Sequence, residues 1–199
     1  MTSKAKKPSQ AKATPTKAAT AKPVTKKAKP TKSKAPTGPN PLLERWTTPF
    51  EVPPFDKVRT EHFLPAIEKG FTENLAEIDA IANNRAAPTF ANTIDALEGA
   101  GRLLERVSSV FFNLSGTDTT PEIQAIEREV APRYAKHSMG IYQNAKLFAR
   151  VDALMKNRKK LGLTLEQMRV LERYHRGFVK AGANLDKKAK ARMAKIAER

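Results

Sequence analysis

The three histidines, His62, His137 and His175, are the side chains of this 199-residue chain best suited to hold a metal ion, because the sequence contains no cysteine. A zinc peptidase helix needs two histidines four residues apart, with a glutamate beside them to activate the bound water. The histidines here are 75 and 38 residues apart. Their spacing therefore predicts no zinc site of this kind.

One acidic residue does stand at a suggestive distance from a histidine. Glu172 and His175 form a Glu-x-x-His pair on one helical face, as in carboxylate-bridged two-metal sites of helical bundles. Such a site needs a second pair, but arginine and tyrosine stand three residues before His62 and His137. We therefore expect His175 to be a partly buried histidine satisfied by hydrogen bonds.

Other catalytic arrangements are also missing from the sequence. No glycine-rich phosphate loop is present, and no serine stands in the strand-to-helix turn of a hydrolase nucleophile. Glu127 and Glu129 are two residues apart, which places them on different helix faces, so we expect a solvated surface there. The sequence predicts no catalytic, cofactor-binding or metal-binding residue in this chain.

The elements that would position any site are helices, since no stretch alternates convincingly between apolar and polar residues. The fold class is therefore predicted to be all-α. The first helix should begin near Thr60 to His62 and end at about Ala82, and Pro65 must lie in its first turn. Its inward row is predicted to be Phe63, Ile67, Phe71, Leu75, Ile78 and Ile81.

The stretch from Thr89 to Gly116 is predicted to be the central helix, since two neighbouring apolar rows run along it. Gly99 and Gly101 would permit close packing of a neighbouring helix, and Gly116 would take the left-handed position just past the end. The two rows are Leu97, Gly101, Leu104, Ser108 and Phe111, and Leu103, Val107, Val110 and Leu114.

Four further helices are expected along the chain. Thr120 should cap the third, which Pro132 should kink or split in two. The fourth should span about Asn144 to Lys160. The fifth should follow Thr164 and end near Gly182, with Leu165, Met168, Leu171, His175, Phe178 and Val179 inward. A sixth should begin near Leu185, and since no stop signal follows, we expect the chain to end within it.

Two non-helical segments are expected before this body, which covers 41–199. Residues 1–40 hold eleven lysines and no acidic residue, so they account for eleven of the net +17 charges and leave +6 for the body. Lacking large apolar side chains, this tail should be disordered, and it is either a solubilising extension or a weak, nonspecific contact for polyanions. Residues 41–58 are rich in proline and should form an extended strap, on which Trp46, Phe50 and Phe55 pack against the helices.

The composition also bears on compartment. No apolar run approaches the roughly 18–20 residues that a membrane helix needs, and the basic N-terminus has no apolar core of a secretory signal. The absence of cysteine fits a reducing compartment, so we expect a cytoplasmic protein without a membrane partner.

A series of short motifs resembles a known family. The motifs include Asn40-Pro-Leu-Leu-Glu, Trp46-Thr-Thr-Pro-Phe, Glu61-His-Phe-Leu-Pro-Ala, Val110-Phe-Phe-Asn-Leu and Leu171-Glu-Arg-Tyr-His. In order and spacing they are similar to the N-terminal region of bacterial peptidyl-dipeptidases and oligopeptidase A, within the thimet oligopeptidase family of zinc metallopeptidases. The resemblance covers about 160 residues and leaves out the tail.

The resemblance implies a long helical enzyme whose two halves face a channel that admits short peptides. It also implies a zinc ion, held by a His-Glu-x-x-His helix and a later glutamate in a C-terminal catalytic half. This sequence stops before those residues, so no catalytic or metal residue can be placed on it. We expect an N-terminal scaffold portion that binds no zinc and is inactive alone. The alternatives are a stand-alone helical module whose basic tail binds nucleic acid or other polyanions, and a non-catalytic peptide-binding remnant.

Overall fold

Six α-helices, joined by short connections, make up the computed structural model, which describes residues 38–186, 188–190 and 192–193. The described residues include no strand, so the predicted all-α class is confirmed. Short 3-10 turns stand at Pro49–Glu51, Thr60–His62 and Arg158–Lys160, and a π-helical turn at Phe90–Asp95. The helices are α1 (Phe63–Ala82), α2 (Ala96–Gly99), α3 (Arg102–Thr117), α4 (Pro121–Tyr142), α5 (Ala145–Asn157) and α6 (Leu165–Lys180).

Side-chain caps set three of the helix starts where the sequence predicts them. The hydroxyl of Thr120 accepts the backbone N–H of Ile123 at the start of α4. Asn144 accepts two backbone N–H groups at the start of α5, and Thr164 forms a reciprocal pair with Gln167 at the start of α6. Each cap satisfies backbone donors that have no partner within the helix.

The predicted central helix from Thr89 to Gly116 is wrong as a single element. Gly101 has a left-handed φ of 78° and separates α2 from α3. Its N–H donates to the Glu77 carboxylate at 2.6 Å, and a Cβ at this position would stand 2.9 Å from the Asn74 side chain. Glycine is required here because both the φ angle and the space exclude a side chain.

The centre of the fold is α1, which contributes to two apolar clusters. Its N-terminal half packs with α3, α4 and the strap, and its C-terminal half packs with α2, α5 and α6. A helix of 20 residues is about 30 Å long, enough to serve both clusters. The break at Gly101 sends α2 to one cluster and α3 to the other. The largest fully buried side chains are Phe63, Phe111, Phe178, Leu42, Ile67, Ile94, Leu147, Leu154 and Leu171.

Gly70, on α1, allows the closest helix contact of this core. A Cβ on Gly70 would lie 2.9 Å from the Cα of Leu104 on α3, whereas a Cβ on Gly99 would meet nothing within 4 Å. The prediction that Gly99 permits close packing is therefore wrong, and the glycine that does so lies on the neighbouring helix.

Some side chains predicted to face inward are exposed. On α1, Asn74 takes the inward position and Leu75 is 43% exposed. Leu165 is 78% exposed because it lies at the first residue of α6, outside the contact with α5, and Val179 is at the edge of that contact. Leu171 and Phe178 are buried as predicted.

Two helix-end expectations also needed correction. Gly116 lies inside α3 rather than past its end, and Asp118 is the capping residue. Pro132 lies inside an uninterrupted α4, so it does not split that helix. Gly182 does take the left-handed conformation beyond α6, as the sequence predicts.

The strap, residues 41–58, is held to the body mainly at its first residues. Leu42 is fully buried, and its carbonyl accepts a hydrogen bond from Arg106 of α3 at 2.9 Å. The same guanidinium lies 4.8 Å from the ring centre of Trp46. The prediction that Phe50 packs on the body is wrong, because it is 99% exposed at the tip of a turn flanked by prolines.

The described residues belong to one compact unit that begins at Lys34. The predicted disorder of residues 1–37 and the predicted course of the last helix beyond Met193 lie outside the described residues, although 188–190 and 192–193 are helical. In the part of the chain described here, no helix combines the length and the apolar character needed to cross a membrane.

Candidate functional site

His175 joins α6 to α5 through a carboxylate rather than through a metal ion. Its Nε2 lies 3.0 Å from Oδ1 of Asp152, whose other oxygen accepts from Lys156 Nζ at 2.6 Å. The hydrogen bond from Lys156, together with that from His175, holds the pKa of Asp152 below its ordinary value of 3.8 against the opposing effect of burial. Glu172 instead pairs with Arg169 at 3.0 Å. The Glu172–His175 pair of the sequence is thus not a shared site.

This cluster makes a testable contribution to stability. Since folding lowers the pKa of Asp152, its charged form favours the folded state above the unfolded pKa, and this contribution is lost as the pH falls through the folded pKa. Asp152→Asn is expected to lower the free energy of unfolding by up to about 1 kcal/mol at pH 7. Urea denaturation at pH 7 and pH 3 checks this. A difference between the two proteins that stays the same at both pH values would contradict it.

The other two histidines also serve helix contacts. His137 of α4 lies with Nε2 2.7 Å from Oδ1 of Asn74 on α1, and burial lowers its pKa. His62 is buried and its Nδ1 accepts the backbone N–H of Arg59. All three histidines therefore have protein partners at the junctions of elements.

The described residues do not fit a metal ion. Within them, no three His, Cys, Asp or Glu side chains come together in a geometry that could hold one. Where a third ligand would be needed beside Asp152 and His175, the cation of Lys156 lies instead. Glu127 and Glu129 remain apart, as the sequence predicts: the first accepts from Ser115 at 2.6 Å and the second pairs with Arg133.

A buried arginine that sequence reasoning missed organises the connection between α1 and α2. Arg150 of α5 is 7% exposed and donates to the carbonyls of Asn84 and Ala86 and to Oδ1 of Asn92. It thereby fixes a loop that has no regular structure of its own. Periodicity could have indicated this position, because Arg150 lies beside Val151 and one turn after Leu147 on the buried side of α5.

A second missed feature is the basic face of α6. Arg169, Arg173, Arg176 and Lys180 are all exposed, and their spacing of four, three and four residues keeps them on one narrow arc. Among the described residues, only Arg169 of these four takes part in an ion pair. The spacing was visible in the sequence, but arginines on a helix also occur wherever a surface is simply solvated.

The tip of the strap forms an exposed apolar patch, defined here as Phe50, Val52 and Phe55. The three side chains are 99%, 46% and 48% exposed. Behind Phe55 lies a shallow groove, whose walls come from the strap and from α3 and are lined by Trp46, Pro53, Arg106, Ser109, Val110 and Asn113. The described region thus offers surfaces for contact, and its buried polar groups tie helices together.

Comparison with known proteins gives this architecture a context. Dipeptidyl carboxypeptidase of Salmonella typhimurium is 43% identical over 154 residues, which are 77% of this chain and 23% of that protein. Dipeptidyl carboxypeptidase of Escherichia coli gives the same identity and coverage. Oligopeptidase A of Escherichia coli is 27% identical over 160 residues, 80% of this chain and 23% of that protein. No protein-family model matches the chain.

The matched lengths differ greatly between the partners of each comparison. The chain spans about 23% of the length of the dipeptidyl carboxypeptidases that it matches. Most of the sequence of these relatives therefore has no counterpart in the 199 residues of this chain.

Proposed function

Because the chain belongs to the thimet oligopeptidase family of peptidases, we propose that residues 41–199 are the N-terminal scaffold portion of a zinc-dependent peptidase that hydrolyses short peptides. In this role the helices form one wall of a channel, and zinc and the groups that activate water are contributed by sequence outside this chain. The reaction would be that of a peptidyl-dipeptidase or an oligopeptidase.

The observation that carries the proposal is the 43% identity over 154 residues with proteins of which this chain spans 23%. A match of that extent supports a common helical architecture in this segment. The packing of the segment supports the scaffold role, because its histidines and carboxylates are engaged in contacts between elements. We further propose that the chain alone does not cleave peptides.

A chimeric protein tests this function. The matched segment of the Escherichia coli dipeptidyl carboxypeptidase is replaced by this whole chain, and release of dipeptides from a short peptide is measured. Since a conserved wall should support the same active site, activity within about tenfold of the parent is expected, a loss of at most about 1.4 kcal/mol. A chimera that folds cooperatively yet cleaves nothing would refute the proposal. A parent enzyme lacking the segment is the negative control.

The second candidate function is contact with a polyanion, which the basic face of α6 favours together with the eleven lysines of residues 1–40. A lysine or arginine placed on a phosphate releases condensed counterions, so binding should weaken steeply with salt. The four basic residues of α6 follow about 16 Å of helix, since each residue advances about 1.5 Å. No base-specific recognition is proposed.

Binding of a fluorescent 30-nucleotide DNA strand, measured by anisotropy in 50 and 200 mM salt, tests this candidate. Deletion of residues 1–40 is expected to abolish binding at the higher salt, because it removes most of the net charge. Reversing Arg173 and Arg176 to glutamate should weaken binding less. Affinity that is unchanged in both variants, or that does not depend on salt, would rule out the electrostatic contact.

A further inference from the structure

The tip of the strap combines two features that a free surface loop gains nothing from. Phe50 and Glu51 both have left-handed φ angles, 57° and 53°, although neither is glycine. This conformation is unfavourable for residues with a side chain and persists where surrounding contacts over-determine it. In this chain Phe50 is 99% exposed, so its own side chain makes almost no compensating contact.

The base of the strap, in contrast, is firmly attached. Asn40 donates to the carbonyl of His62 at 2.8 Å, and Leu42 is fully buried. The Trp46 indole donates to the carbonyl of Pro41 at 3.0 Å, and Arg106 lies over its ring. An aromatic tip held out from a fixed base is the form of an anchor that enters a pocket of another surface.

The chemistry of the patch indicates an apolar partner. Phe50, Val52 and Phe55 lie within six residues, and the groove behind Phe55 continues the apolar surface to Val110 of α3. Aromatic residues are enriched in the buried cores of protein interfaces. In a chain that spans 23% of its relatives' length, the surface nearest to hand is the remaining part of the same fold.

We propose that the exposed apolar patch of the strap docks into an apolar pocket on the part of the peptidase fold that lies outside this chain. The proposal rests on the proposed scaffold function and deepens it by naming the contact surface. Docking buries the aromatic side chains and holds the left-handed turn, so the strap links the scaffold to the remainder of the enzyme.

The test compares one double substitution, Phe50→Asp with Phe55→Asp, in two proteins. In the whole chain alone, the substitution is expected to leave the urea midpoint unchanged, because the patch has no partner there. In the chimera, two carboxylates would have to enter an apolar pocket, which is expected to weaken docking about tenfold or more. Trypsin cleavage after Arg45 and Lys57, followed by mass spectrometry under native conditions, measures the undocked fraction and should accelerate by that factor.

Leu75→Asp is the matched control, since Leu75 is also an exposed apolar residue, at 43%, but lies on α1. Strap cleavage in the chimera that accelerates no more for the double variant than for Leu75→Asp would overturn the proposal. A raised KM for peptide with unchanged strap cleavage would assign the patch to substrate instead. Concentration-dependent dimers of the chain alone, lost in the double variant, would assign it to a second copy.

These outcomes are separable from failure of the scaffold function itself. If the unsubstituted chimera folds but is inactive, the proposed function fails and the patch is left without its partner. If the unsubstituted chimera is active and the double variant behaves like the control, the scaffold function stands and the docking proposal alone fails.

Discussion

Phe111→Ala is expected to lower the free energy of unfolding by about 3–5 kcal/mol, since a fully buried aromatic side chain is removed from the first apolar cluster. Phe111 is 0% exposed, and its ring meets that of Phe63 edge-on with centroids 5.2 Å apart. The substitution removes contacts between α3 and α1 and leaves a cavity that the surrounding helices fill only in part. Urea denaturation of the purified chain, followed by circular dichroism, measures the loss.

The neighbouring residue supplies the control. Phe112 is 43% exposed, so the same truncation there should cost about 1 kcal/mol, in proportion to the smaller area that it withdraws from water. Equal losses at the two positions would mean that the register of α3 described here is wrong, because a rotation of one residue exchanges the two side chains.

Gly70→Ala is expected to destabilise the protein by about 1–3 kcal/mol, although alanine favours the helical backbone. The added Cβ would stand 2.9 Å from the Cα of Leu104, a backbone atom that cannot rotate away. Helices α1 and α3 must separate, and the packing of the first cluster loosens with them. Thermal and urea denaturation both report the effect.

Gly140→Ala is the matched control for this substitution. Gly140 also lies within a helix, but a Cβ there would meet nothing within 4 Å. The stability should be unchanged or rise by up to about 1 kcal/mol, because only the backbone preference changes. A stabilising Gly70→Ala substitution would contradict the close approach of α1 and α3.

The features that the sequence predicted well are those that local chemistry decides. Thr120, Asn144 and Thr164 accept backbone N–H groups a few residues away, so they mark helix starts before any tertiary contact forms. The apolar rows of α1 and α5 likewise follow from helical spacing, and most of their members are buried. The all-α class follows from the same period.

The features that it missed depend on contacts between distant residues. The break at Gly101 is fixed by Asn74 and Glu77 of α1, which no window around Gly101 contains. Leu75 and Leu165 fit helical rows but have no neighbouring element to cover them. Apolar character alone also placed Phe50 on the body, whereas the flanking prolines turn it outward.

The candidate sites divide in the same way. Histidine spacing was enough to predict that no zinc peptidase helix lies in this chain, because two ligands on one helix must be four residues apart. The partners of His137 and His175, in contrast, lie 63 and 23 residues away in sequence. The role of Arg150 required the structure for the same reason.

The measurement that bears most directly on the scaffold function is peptide hydrolysis by the purified 199-residue chain in the presence of added zinc. A quenched fluorescent peptide is incubated with the chain, with and without a chelator, and with the Escherichia coli dipeptidyl carboxypeptidase as the positive control. We expect no turnover above the rate without protein, and full activity of the control. Chelator-sensitive cleavage that copurifies with the chain would contradict the proposal that its active site is contributed from outside these residues.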